Sequence, residues 1–258
     1  MKIKEIVCAL ERFAPLPLQE DFDNAGLQVG LTEAEATGAL LCLDVTEAVI
    51  DEAVALGFNL VISHHPLIFK GVKSISDKTY IERCILKAIK NDIVIYSAHT
   101  NLDNVLNGVN FKIAEKIGLT DVSFLSPNAE GSGSGIIGSL ENPETETDFL
   151  KRIKKTFEVG CVKHNKLSGK LIHRVAVCGG AGAFLIPDAI AANADVFITG
   201  EIRYHEYFGL ERKILLAEIG HYESEQYTKQ LLQEFLKKQF PDLKTEQTKI
   251  NTNPIKYL

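Results

Sequence analysis

The stretch Ala39-Leu40-Leu41-Cys42-Leu43-Asp44-Val45, then Thr46 to Leu56, then Phe58-Asn59-Leu60-Val61-Ile62-Ser63-His64-His65-Pro66, decides the fold. Its two ends are short apolar runs of the kind that form strands buried on both faces. Between them Thr46 offers an N-cap hydroxyl for a helix to Leu56. Strand, helix and strand in succession mean α/β layers with largely parallel strands. Working outward, the same rhythm recurs. Upstream, Ile3, Ile6, Val7, Leu10 and Phe13 fall at helical spacing, and Pro15 and Pro17 stop that helix. Downstream, Thr79 and Glu82 form a capping box opening a helix to about Lys90. Ile93 to Ala98 reads as a strand, and Val109 to Ile117 as a helix closed by Gly118.

Residues 126–135, Ser-Pro-Asn-Ala-Glu-Gly-Ser-Gly-Ser-Gly, are the most linker-like stretch in the chain. Beyond them a strand from Ile136 precedes a helix from about Thr147 to Phe157 and strand material over 159–175. Val175 to Cys178 runs into Gly179-Gly180-Ala181-Gly182, which reads as a tight turn rather than a phosphate cradle because it lacks both glycine-rich phosphate motifs. Helix 187–192, strand Val196 to Thr199, helix 203–209, strand Ile214 to Glu218 and a long helix 223–238 complete the pattern. The fold class expected is α/β, as two similar lobes with largely parallel or mixed sheets. The first lobe spans 1–125, the Ser/Gly-rich join 126–135 and the second lobe 136–258.

With 45% hydrophobic and 24% charged residues, the 258-residue chain has material for a packed core, which excludes wholesale disorder. A net charge of −6 argues against a chain built chiefly to grip phosphate backbones. Five cysteines are scattered singly, mostly within apolar runs, which suits a reducing compartment. The apolar run Ile6 to Leu10 is too short for a signal peptide, and no run approaches a membrane span. The expected location is the cytoplasm, with no membrane partner.

In such sheets functional groups collect at the carboxyl ends of strands. The strand ending at Ser63 runs into His64-His65, the one ending at Ala98 into His99 and then Asp103, and the one ending at Thr199 into Glu201 and then His205. The strand ending at Glu218 runs into His221 and Glu225. Five of the seven histidines fall in these four places, which scatter does not readily produce. Singly, each has a plainer reading: a solvated pair at His64-His65, a turn residue at Asp103, a surface pair at His221 and Glu225. Together, the imidazoles of His64, His65 and His221 and the carboxylates of Asp103 and Glu225 suit one dinuclear transition-metal site. Five ligands shared by two ions leave positions open for water, which a closed structural zinc site does not. Paired ions, roughly 3.5–4 Å apart, hold a water or hydroxide as a nucleophile at neutral pH. No side chain is assigned as the catalytic group; the metal-bound water takes that part. His99, Glu201, His205 and Asp44 are candidates for orienting ligands or contacting substrate. Zinc, iron, manganese, cobalt and nickel all suit such ligands.

Five segments occur together in order: Asp23-Asn24-Ala25-Gly26-Leu27-Gln28-Val29-Gly30, Ser63-His64-His65-Pro66, His99-Thr100-Asn101-Leu102-Asp103, Thr199-Gly200-Glu201 and Gly220-His221-Tyr222-Glu223-Ser224-Glu225. On these the chain resembles, over essentially its whole length, the Nif-three-like dinuclear metal proteins, commonly labelled GTP cyclohydrolase I type 2 homologs. The resemblance implies two α/β lobes, two divalent cations per subunit between them, and a ring-shaped homohexamer. It implies His64 and His65 on separate ions, Asp103 on one, His221 on the other and Glu225 across both. The sequence departs from the family in having Phe22 where Trp is usual, and in lacking the domain that longer relatives insert between the lobes.

Two functions of different class are compatible with these residues. One is a metal-dependent hydrolase acting on a small nucleotide-like or phosphorylated substrate, GTP cyclohydrolase-like by the family label, with a phosphoesterase on nucleic-acid ends as a variant. The other is a non-enzymatic metal-binding ring that recruits a partner or nucleic acid. Subunits of charge −6 make a poor DNA clamp at physiological salt unless the lumen is locally basic.

Overall fold

The amphipathic opening segment is the helix α1 (Ile3–Phe13) in the computed structural model, which describes residues 1–128 and 131–258. Ile3, Ile6, Val7 and Leu10 are buried along it, as their spacing requires. Strands β1 (Gly26–Val29) and β2 (Ala39–Cys42) come next. Helix α2 (Glu47–Leu56) starts on Thr46, whose Oγ1 accepts from the Val49 N–H at 3.3 Å, a cap worth about 1 kcal/mol. After β3 (Leu60–Ser63), α3 (Tyr80–Lys90) starts on Thr79, whose Oγ1 accepts from the Glu82 N–H at 3.2 Å. Only half of that capping box forms, because the Glu82 carboxylate turns to the hydroxyls of Ser74 and Ser76 instead. The chain continues through β4 (Val94–Ser97), α4 (Thr100–Asp103), α5 (Val109–Ile117), β5 (Thr120–Pro127), β6 (Gly133–Thr145) and α6 (Glu146–Thr156). It ends with β7 (Lys163–His164), β8 (Leu171–Cys178), α7 (Ile186–Ala191), β9 (Val196–Thr199), β10 (Leu215–Glu218), α8 (His221–Glu225), α9 (Thr228–Gln239) and β11 (Thr245–Gln247).

These elements form two compact units, each with its own sheet. The first comprises Met1–Leu102 and Thr228–Pro254. Its sheet has the order β1-β4-β3-β2-β11, parallel throughout except for β1, which runs antiparallel to β4. Leu40, Val61 and Ile95 of three adjacent parallel strands are fully buried with Val49, Ile50 and Cys84 of the covering helices. The second unit comprises Asp103–Tyr227 and Ile255–Leu258. Its sheet has the order β5-β6-β8-β9-β10-β7, in which only β8, β9 and β10 are mutually parallel. Ala176, Phe197 and Leu216 form the centre of its core.

The α/β class holds, with one sheet largely parallel and the other mixed, as expected. Three features depart from the sequence reading. The stretch 126–135 is no join between lobes: β5 and β6 pair antiparallel on either side of it, with Ser126 opposite Ser134 and Pro127 opposite Gly133. Glycine and serine there belong to the paired strand ends, and Ala129 and Glu130 lie outside the described residues. The unit boundaries accordingly fall at 102/103 and 227/228, not near 125–135, and the chain returns to the first unit with α9 and β11. The helix expected over 223–238 is divided into α8 and α9. Gln226 and Tyr227 donate from their side chains to the carbonyls of Phe157 and Thr156 in the second unit, whereas Phe235 of α9 stacks on Phe13 in the first, ring centroids 4.7 Å apart. Residues 203–209 hold only a short 3-10 turn, Tyr204–Tyr207. Among the described residues no disulfide forms, and no helix is long and apolar enough to cross a membrane.

Candidate metal centre

Strand register delivers the first group of donors. Cys42, Ser63 and Ser97 lie side by side across β2, β3 and β4. Two residues further along each strand come Asp44, His65 and His99, so parallel pairing alone sets them on one sheet edge. His64 would point to the opposite face of a continued strand, but the chain bends there. The Ser63 hydroxyl donates to the His65 carbonyl at 2.9 Å, and Pro66 comes directly after. The rings of His64 and His65 are consequently only 4.9 Å apart, with His99 at 5.3 and 5.5 Å from them. His64, His65 and His99 each present a ligand atom within 4.8 Å of the others, a group able to hold a metal ion.

Each of these imidazoles has its Nδ1 fixed by an acceptor. His64 Nδ1 donates to the Ala98 carbonyl at 2.8 Å, His65 Nδ1 to Asp44 Oδ1 at 2.8 Å, and His99 Nδ1 to Asp23 Oδ1 at 2.7 Å. Carbonyls and carboxylates only accept, so Nδ1 carries a proton, and in the neutral ring the lone pair is then on Nε2, the state in which an imidazole binds a metal. Burial pushes the Asp44 carboxyl up, but hydrogen bonds from His65 and Thr252 outweigh it and hold the group below its ordinary value. Burial likewise raises Asp23, and donation from His99 and Thr100 overcomes it, bringing the carboxyl down to about 2.

Asp23 therefore contributes stability that is complete above its ordinary value of 3.8 and is lost as the pH falls through about 2. Asp23→Asn should melt lower than the parent at pH 6 in metal-free protein, with the gap closing between pH 4 and pH 2. A gap of constant size down to pH 2 would remove Asp23 from this role.

The second unit repeats the construction. Cys178, Thr199 and Glu218 are aligned across β8, β9 and β10. Two residues on stand Gly180, Glu201 and Gly220, and α8 begins immediately after Gly220 with His221. His221 Nδ1 donates to Glu201 Oε1 at 2.8 Å, and its Nε2 faces Glu225 Oε2 at 3.3 Å, so the ring has a carboxylate at each nitrogen. One helical turn brings His221 and Glu225 to the same side. The Glu225 carboxylate is buried, and Gly180 is the reason it fits: a Cβ there would stand 2.3 Å from Glu225 Oε1. The Gly180 N–H donates to Ser224 Oγ at 2.9 Å, which pins α8 to this turn. The glycine-rich turn is thus the floor beneath His221 and Glu225.

Asp103 closes α4, four residues after His99. Its carbonyl accepts from Asn110 Nδ2 at 3.1 Å, while Asn110 Oδ1 accepts from the Gly179 N–H at 2.9 Å, so a buried amide ties Asp103 to the glycine-rich turn. His205 is exposed on the 3-10 turn, its ring against those of Tyr204 and Phe208. Sequence reasoning gave no role to Asp23, Asn110 or Ser224. Asp23 lay within a quoted motif, but hydrogen-bond partners 76 residues apart in sequence leave no local signal.

An α/β protein with two parallel-strand edges, one carrying three imidazoles and the other a His–Glu pair, belongs to a restricted class of candidate metalloproteins. The chain is a member of the Duf34/NIF3 (NGG1p interacting factor 3) family, whose profile it matches over residues 1–254. A relative from Clostridium acetobutylicum, named GTP cyclohydrolase 1 type 2 homolog, is 36% identical over 229 residues, covering 87% of this chain and 85% of the relative. Among solved structures, a Staphylococcus aureus hypothetical protein superposes with a TM-score of 0.93 at 31% identity, over 100% of this chain and 99% of that one. A Bacillus cereus protein related to NIF3 gives 0.91 at 25% identity, over the same shares of the two chains.

Proposed function

We propose that this protein holds a pair of divalent cations and is a metal-dependent hydrolase of small nucleotide-like or phosphorylated molecules, working as a cytoplasmic, ring-shaped homohexamer. The observation that carries the reading is a shared geometry: His64, His65, His99 and His221 each set Nδ1 against an acceptor, which in a neutral ring leaves Nε2 for a cation. Imidazole nitrogens together with the buried carboxylate of Glu225 form a donor set that suits zinc, iron, manganese, cobalt or nickel. His64 and His65 serve separate ions, Asp103 joins one, His221 the other, and Glu225 is shared.

Bound ions of this kind supply Lewis acidity and activate water at neutral pH. The chain's own part is to hold the ligands in one protonation state. Asp44 and Glu201 fix the rings of His65 and His221, and Asp23 fixes His99 at the edge of the group. The name carried by the relatives points to a purine nucleotide, so GTP heads the panel to be tested. Protein loaded with two equivalents of zinc, manganese or iron should convert at least one member of a panel of nucleotides, sugar phosphates and phosphodiesters, and a chelator should abolish the conversion. Full metal occupancy with no turnover across the panel would favour the non-enzymatic assembly protein.

A further inference from the structure

The Asp44 carboxylate that holds His65 has a second partner from the far end of the chain. Strand β11 runs parallel to β2, pairing Thr245 with Ala39 and Gln247 with Leu41. Parallel pairing means that the residues after β11 travel towards the same sheet edge as those after β2. The path is fixed along the way: the Thr248 N–H donates to the Leu41 carbonyl at 2.8 Å, and the Glu52 carboxylate accepts from the Thr248 hydroxyl and, at 2.9 Å, from the Lys249 N–H. Ile250 packs on the first core. Asn251 Oδ1 then accepts from the Asn253 N–H at 2.9 Å, turning the chain around Thr252. The Thr252 hydroxyl ends 2.7 Å from Asp44 Oδ2, while Asp44 Oδ1 takes the His65 N–H.

We propose that Thr252 is a positioning residue for His65: its hydroxyl orients the Asp44 carboxylate, and through it the tautomer and ring plane in which His65 offers Nε2 to a cation. A carboxylate on one hydrogen bond can swing about its Cβ–Cγ bond; with each oxygen bonded to a different element it cannot. Outer partners of this kind raise ligand basicity and fix ring orientation, and their loss costs roughly 10–100-fold in metal affinity. Thr252 acts one bond further out than Asp44, so its share falls at or below the lower end of that range. The inference rests on the proposed reading of His65 as a ligand and extends it to a residue 208 positions from Asp44 in sequence.

The test uses the full chain as Thr252→Val, which keeps shape and removes the hydroxyl, with Thr252→Ser and Asp44→Asn for comparison. Two readouts are taken. One is the His65 Nδ1–H resonance in metal-free protein, assigned by its loss in His65→Asn; the other is zinc affinity by competition with a chromophoric chelator. Thr252→Val should broaden or abolish the resonance and weaken zinc binding about 3- to 10-fold, in line with a bond beyond the nearest outer partner. Thr252→Ser should restore both. If Thr252→Val keeps the resonance and the affinity while Asp44→Asn loses them, Thr252 has no such role, although His65 remains a ligand. If the parent protein binds no zinc, the metal reading falls, and the metal-free resonance still decides whether Thr252 holds the ring.

Discussion

Glu225→Ala should lower bound metal from about two ions per chain towards one or none, because a carboxylate shared by two ions serves both and also screens them from each other. His64→Ala, which in the proposed assignment removes a donor to one ion only, should lose about one. The second unit should remain folded in the Glu225 variant. Its core is built on Ala176, Phe197 and Leu216, and Glu225 sits apart from it against the turn at Gly179 and Gly180. Elemental analysis of each variant beside a thermal melt separates the outcomes. Two ions retained by Glu225→Ala would move the shared carboxylate elsewhere, with Glu201 next to be tried. A collapsed melt would make Glu225 a structural residue.

Gly180→Ala should combine metal loss with destabilisation. The residue has φ +60, a left-handed conformation that costs an L side chain roughly 1–2 kcal/mol. The new methyl would also meet Glu225 Oε1 at 2.3 Å and His221 Nε2 at 3.3 Å, so the carboxylate must leave its place. The expected loss is about 1–3 kcal/mol of stability by urea unfolding, with metal content falling as in Glu225→Ala. Gly57→Ala is the control: φ is +70, but nothing stands within 4 Å of the added methyl. It should cost only the roughly 1–2 kcal/mol of the left-handed backbone and leave metal content unchanged. Equal metal loss in both variants would show that backbone strain anywhere loosens the site, and would deny Gly180 its local role.

Much of this was legible along the chain. Buried parallel strands read as apolar runs, and their register then places the residues at their carboxyl ends. His65 and His99 could be set on one edge because Ser63 and Ser97 end paired strands. Helices announced themselves by spacing and by the caps at Thr46 and Thr79. The hidden features depend on partners distant in sequence or on polar, short elements. β11 has a single buried residue, Thr245, and no apolar run to mark it, yet it completes the first sheet. The paired strand ends around 126–135 read as a linker because glycine and serine serve both purposes equally well. The break between α8 and α9 is set by Gln226 and Tyr227 bonding to carbonyls about 70 residues away, which helical periodicity cannot register. Asp23, Asn110 and Thr252 belong to the same kind: polar residues whose roles exist only once strands are paired.

The proposed function turns on two cations held as one pair. X-ray absorption at the metal edge of protein loaded with two equivalents of zinc tests it most directly. The expected spectrum has a first shell of mixed imidazole nitrogen and carboxylate oxygen, together with a metal–metal scattering shell that disappears in Glu225→Ala. A spectrum from fully loaded protein that shows imidazole and carboxylate ligands but no metal–metal shell would contradict it, leaving two separate ions rather than a dinuclear centre.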